Sequence, residues 1–171
     1  MSGWYKCSVG VSVSQENLRS TSLDELVSLS MSGLLHLSTT DLFTLLAPNK
    51  GNLRLLDLSE TDTDLKQLAT AGYLSGVTEL LLNTTRVDDE TLEVMAANLP
   101  NLTTLAVSST RVTGVGIRAL TKKPGRQLER LNLNYCNFVG VDAVVYARSL
   151  GIEVSCVLVD SSKGRPRNKD L

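Results

Sequence analysis

The chain has 171 residues, with 17 Lys+Arg against 18 Asp+Glu, 42% hydrophobic and 20% charged residues; this fits one globular domain and excludes a disordered chain. A formal net charge of −1 argues against a polyanion or an acidic membrane surface as the main partner. Leucine fills 31 positions and aromatic residues only seven, which suits one small layer repeated many times better than an isometric core.

In chain order, the first eighteen residues, MSGWYKCSVGVSVSQENL, hold no 7–15-residue apolar stretch and so do not read as a secretory signal. A weak strand-like alternation begins at Val11, and "SLDELVSLS" (22–30) has helical spacing. Then a frame sets in. "LLHLSTTD" (34–41) and "LLDLSETD" (55–62) agree at six of eight positions, and the frame continues with "LLLNTTRV" from Leu80, "LAVSSTRV" from Leu105, "LNLNYCNF" from Leu131 and "VSCVLV" from Val154. The frame starts are thus 11, 35, 56, 80, 105, 131 and 154, and the unit reads L-x-x-L-x-L-x-x-T/C-x-V/F. Within it, Leu56 with Leu58 and Leu131 with Leu133 alternate with period two, predicting short strands with one buried face. Between the strands, helices are predicted over 41–47, 63–74, 87–100, 114–123 and 140–150; Asp88, Asp89 and Glu90 sit where they would cap and complement a helix start. Strand–turn–helix units of this length set one strand per unit in parallel and stack into a solenoid.

The unit resembles the leucine-rich repeat family, whose consensus carries Asn or Cys where this chain carries Thr40, Thr61, Thr85, Thr110 and Cys136. The resemblance covers roughly residues 9–158 and implies an α/β solenoid of about seven short repeats, with a curved parallel sheet inside and helices outside. "VDDETLEVMAANLPNLTTL" is most similar to the ribonuclease-inhibitor-like, cysteine-containing subclass found in the repeat half of F-box/leucine-rich-repeat proteins. Residues 1–33 carry no F-box pattern, so only the binding scaffold is implied. The expected organisation is a solenoid over 1–158, with a weak first repeat (1–33), clear repeats (34–151) and a terminal strand (152–159). A disordered basic tail over 160–171 completes it; its Lys163, Arg165, Arg167 and Lys169 lack aromatic neighbours, which makes a nucleic-acid role a poor reading.

On such a solenoid the residues flanking the strand leucines face outward on the concave sheet. The expected partner-binding face therefore comprises Leu34, His36, Leu55, Asp57, Leu81, Asn83, Ala106, Arg130 and Asn132. His36 beside Asp57, with Ser38 and Ser59 one column over, has the residue types of a hydrolase triad. An open sheet offers no oxyanion donors and excludes no water, so these residues read as solubilising ones and no enzyme is expected. No cofactor or metal is expected either: one His and three scattered Cys (Cys7, Cys136, Cys156) suit neither a metal cluster nor a disulfide framework. Cysteine usage points to an intracellular, cytoplasmic location. No run of residues approaches a membrane span.

The expected function is a non-catalytic protein-interaction module, an adaptor, regulator or recognition scaffold. The alternative is a structural subunit docked through the solenoid ends and convex helices. The apolar strand 152–159 is an open edge. It is expected to be covered by a partner, a second copy or further sequence, rather than by the polar tail folding back.

Overall fold

The computed structural model describes residues 26–49, 51–122, 127–160 and 165–167, with the backbone alone for 158–160 and 165–167. Six three-residue strands form one all-parallel sheet in chain order: β1 (Ser28–Ser30), β2 (Leu55–Asp57), β3 (Glu79–Leu81), β4 (Thr104–Ala106), β5 (Arg130–Asn132) and β6 (Glu153–Ser155). Helices α1 (Thr39–Leu46), α2 (Leu65–Thr70), α3 (Asp89–Asn98), α4 (Gly114–Thr121) and α5 (Val141–Ser149) alternate with them.

The core is a stack of equivalent leucines. The central strand residues Leu29, Leu56, Leu80, Leu105, Leu131 and Val154 pair across neighbouring strands, and all are buried. Two residues on, Met31, Leu58, Leu82, Val107 and Leu133 are buried beneath the same sheet, as are Leu26, Leu53, Val77, Leu102 and Leu128 three residues before the centre. Each layer covers its neighbours' apolar area, so burial is shared along the stack.

The first described repeat departs from the expected frame. Its strand is centred on Leu29 and not on Leu35, and 28–30 is not helical. Leu26-x-x-Leu29-x-Met31 is the true counterpart of Leu53-x-x-Leu56-x-Leu58; the agreement of 34–41 with 55–62 is a coincidence of the segment that leads into a helix. Residues 34–38 must turn into α1, whose N-cap is Ser38, with Oγ accepting from Thr40 N. Six strands are described where about seven repeats were expected, and the expected unit at Val11 lies outside the described residues.

The turns after β1 to β5 are all built the same way. The third residue past the strand lies in the left-handed region: Gly33, Glu60, Thr84, Ser109 and Tyr135, with φ of 81°, 59°, 56°, 57° and 61°. Each donates its N–H to a carbonyl of the next repeat, for example Glu60 to Asn83 O and Thr84 to Ser108 O, both at 2.8 Å. One residue further, the predicted ladder appears. Thr61, Thr85 and Thr110 are buried and donate Oγ1 to Leu58 O, Leu82 O and Val107 O at 2.7, 2.6 and 2.7 Å. Cys136 continues the column, its Sγ 3.0 Å from Val107 O and 3.6 Å from Thr110 Oγ1. Thr40 does not belong to it: Thr40 is an exposed residue of α1, and Leu34 takes the ladder place in the first repeat.

The C-terminal edge also differs from expectation. β6 ends at Ser155; beyond it β7 (Leu158–Asp160) pairs antiparallel with β8 (Arg165–Arg167) in a separate two-stranded sheet that does not extend the six-stranded one. Val154 O, on the side of β6 turned away from β5, accepts a hydrogen bond from Arg148 Nη2 at 2.9 Å. An arginine thus occupies the acceptor that a further strand would use.

Two stability predictions follow from these turns and caps. Thr84 pays for a β-branched side chain in the left-handed region, so Thr84→Gly should be neutral to stabilising by up to about 1 kcal/mol. Its neighbour Thr85→Val should cost about 1–3 kcal/mol by leaving Leu82 O unpaired. Urea denaturation of both variants checks the contrast, and losses of equal size would contradict it. Asp88, the N-cap of α3, accepts from Thr91 Oγ1 and N at 2.6 and 2.8 Å and stands 3.6 Å from Lys66 Nζ. The Thr91 hydroxyl, with help from the Thr91 amide and Lys66, holds its carboxyl below the usual range. Such a group stabilises the fold above its unfolded pKa and ceases to do so as pH falls through the lower folded value. Asp88→Ala should therefore cost about 1 kcal/mol at neutral pH. The gap from wild type should close below about pH 4.

Candidate protein-binding face

The side chains that alternate with the buried leucines stand on the inner face in two columns. The first runs Ser28, Leu55, Glu79, Thr104, Arg130 and Glu153; the second runs Ser30, Asp57, Leu81, Ala106, Asn132 and Ser155. Leu55, Asp57, Leu81, Ala106, Arg130 and Asn132 are therefore brought together on one surface. Leu34 and His36 are not. Leu34 is partly buried against the core, and His36 is exposed on the turn leading to α1. Ser28 and Ser30 hold the places expected for them, a substitution hidden by the false frame of the first repeat.

The polar residues of this face differ in how far the fold already employs them. Asp57 Oδ2 accepts from Ser30 Oγ at 3.1 Å and Oδ1 from Ser59 N at 3.0 Å. Asn83 donates Nδ2 to Ser59 Oγ at 3.2 Å and accepts from Ser108 N at 3.0 Å; Asn132 Oδ1 accepts from Asn134 N at 3.0 Å. Asn83 thus joins successive turns and Asn132 braces the turn of its own repeat, roles that the repeat spacing alone did not reveal. Arg130 lies across β4, with Nε and Nη2 donating to Thr104 Oγ1 at 3.1 and 2.9 Å and Nη2 4.0 Å from Glu79 Oε1. Glu79, Leu55 and Leu81 remain partly exposed, while Ala106 is buried between its neighbours. A shallow open depression runs from Leu81 over Ala106 to Arg130, Asn132 and Ser155.

The triad inventory is not assembled. Ser38 caps α1, Ser59 is buried and accepts from Asn83 N, and Asp57 is held by Ser30 rather than by His36.

Cys156, near the C-terminal edge, is a free and partly exposed thiol, whereas free Cys136 is fully buried. Burial, together with the neighbouring Cys136, pushes the Cys156 thiol above its ordinary pKa. A water-soluble maleimide should label Cys156 in the native state more slowly than a free cysteine at pH 7, and faster as pH rises. Cys136 should react only after denaturation; rapid native labelling would remove it from the ladder.

No protein-family model and no curated protein matches the sequence. Among solved structures, an internalin (inlF) from Listeria monocytogenes is similar in fold, with a TM-score of 0.52 at 21% sequence identity. The match covers 91% of this chain and 39% of that one, so the chain spans about two fifths of the internalin's length. With the parallel sheet, the alternating helices and the Thr/Cys ladder, this likeness identifies the fold as an α/β leucine-rich repeat solenoid.

Proposed function

We propose that the solenoid is a non-catalytic protein-interaction module, an adaptor, regulator or recognition scaffold that holds a partner on its concave face. The observation carrying this is the inner surface itself: partly exposed Leu55 and Leu81 lie among Asp57, Glu79 and Arg130 on a rigid sheet that no described element covers. Apolar side chains ringed by polar ones on an open surface mark contact sites. Leu55, Asp57, Leu81, Ala106 and Arg130 form the centre of the proposed site. Asn132 at the end of β5 and Asn83 in the following turn of its repeat support it, and Leu34 and His36 drop out of it. The Thr ladder ending in Cys136 favours the cysteine-containing repeat subclass. The two free thiols favour a reducing intracellular compartment such as the cytoplasm.

A second reading, a subunit docked into a larger assembly through its end and convex helices, has its own support. Of the eight large exposed apolar side chains among the described residues, five (Tyr135, Phe138, Val141, Val145 and Leu150) belong to the stretch from the turn after β5 to the residue that follows α5.

Leu55→Lys combined with Leu81→Lys, which sets each lysine opposite an acid (Glu79 and Asp57), tests the concave site. Both side chains lie outside the core, so the melting transition should stay close to wild type while capture of any concave-face partner falls at least about tenfold. Unchanged binding with a collapsed melting temperature would show that these leucines serve the fold instead.

A further inference from the structure

The strand register sets four partly exposed side chains in a square on the inner face. Leu55 stands opposite Glu79, and Asp57 stands opposite Leu81. The square is roughly 5 Å across the strands and about 7 Å along them. Its leucines occupy one diagonal and its carboxylates the other.

No cation of the described residues fills this square. Asp57 makes no ion pair among them; its oxygens accept from Ser30 Oγ and Ser59 N, one each, and keep further lone pairs. Glu79 meets only the flank of Arg130, whose Nη2 stops 4.0 Å from Oε1 with the guanidinium held by Thr104 Oγ1. Arg54, just before β2, is held by the carbonyls of Gly51, Leu53 and Gly76. The two columns of the inner face thus carry three carboxylates, Asp57, Glu79 and Glu153, against the single guanidinium of Arg130. This acidity is local, since the formal net charge of the whole chain is only −1.

We propose that the square receives a lysine or arginine side chain of a protein partner, its stem over Leu55 and Leu81 and its charged head between Asp57 and Glu79. The inference rests on the concave-face reading above and names what that face selects. Long cationic side chains lay their methylenes on apolar surface while the head stays among polar groups, which suits crossed diagonals of leucine and carboxylate. A purely apolar side chain would cover both carboxylates without pairing them, and an acidic one would be repelled. Over β4 the side chains of Thr104 and Ala106 are small, so the shallow depression beside the square has room for an apolar neighbour of that cation.

The test pans displayed short random peptides on the immobilised full chain and measures the enriched ones by fluorescence polarisation. They should carry a Lys or Arg whose replacement by norleucine, which keeps a stem and removes the charge, weakens binding about fivefold. In Glu79→Gln, and separately in Asp57→Asn, that loss should shrink to about twofold, because one of the two carboxylates has gone. Melting of Glu79→Gln should not change, since only the 4.0 Å contact with Arg130 is removed. Glu93→Gln, at an exposed acid of α3, should leave the fivefold loss intact. A cation effect that is unchanged in both Glu79→Gln and Asp57→Asn overturns the inference. Peptides that need no cation, yet bind at least about tenfold more weakly to Leu55→Ser combined with Leu81→Ser, overturn it and leave the concave-face reading standing. Peptides indifferent to that leucine pair, or no enrichment at all, overturn both.

Discussion

A left-handed residue after every strand from β1 to β5 sets the geometry on which the rest depends. The chain leaves each strand through Gly33, Glu60, Thr84, Ser109 or Tyr135, and the N–H of that residue is satisfied by the following repeat. All five residues are exposed, so each of these bonds replaces one that water could make and contributes about 1 kcal/mol. The successor stacked on each turn therefore stabilises it, and the contributions add up along the stack. The ladder hydroxyls of Thr61, Thr85 and Thr110 close the remaining carbonyls within each repeat. Register across the sheet is fixed from both sides, and the leucine columns come into line as a result.

This construction explains which parts of the inner face are available to a partner. The outer rim of asparagines and serines is committed to joining turns, and Asp57 is held by its own neighbours. What remains to present chemistry outward is Leu55 and Leu81 with Glu79, Arg130 and Glu153 around them. Convex-side chemistry is divided in a similar way. Polar helix residues such as Asp89 and Arg118 are used between repeats, and their apolar equivalents surface where the described helices end.

Much of the architecture was legible because the leucine period reports burial directly. From Leu53 to Leu133 the L-x-x-L-x-L spacing, with Val77 and Val107 in place of leucine, marks β2 to β5, and the Thr/Cys column marks the turns after them. The first repeat misled because two patterns compete there: Leu26 and Leu29 also fit helical spacing, while Leu35-His36-Leu37 imitates a strand in a segment that enters a helix. That single slip placed Leu34 and His36 on the wrong surface. Other features leave no sequence mark. Glu60, Thr84, Ser109 and Tyr135 are not residue types that announce a left-handed backbone. The bond from Arg148 to Val154 O depends on the close packing of α5 on β6, which no local pattern encodes.

The central claim, that each repeat is completed by the next through the turn amides, is tested most directly by native-state hydrogen exchange read at single residues. The amides of Thr84 and Ser109, in the middle of the stack, should exchange far more slowly than the exposed turn amide of Arg86, and only when neighbouring repeats open together. If Thr84 and Ser109 exchange at the rate of an unfolded chain while the β3 and β4 amides stay protected, the turns do not depend on their successors and the account is contradicted.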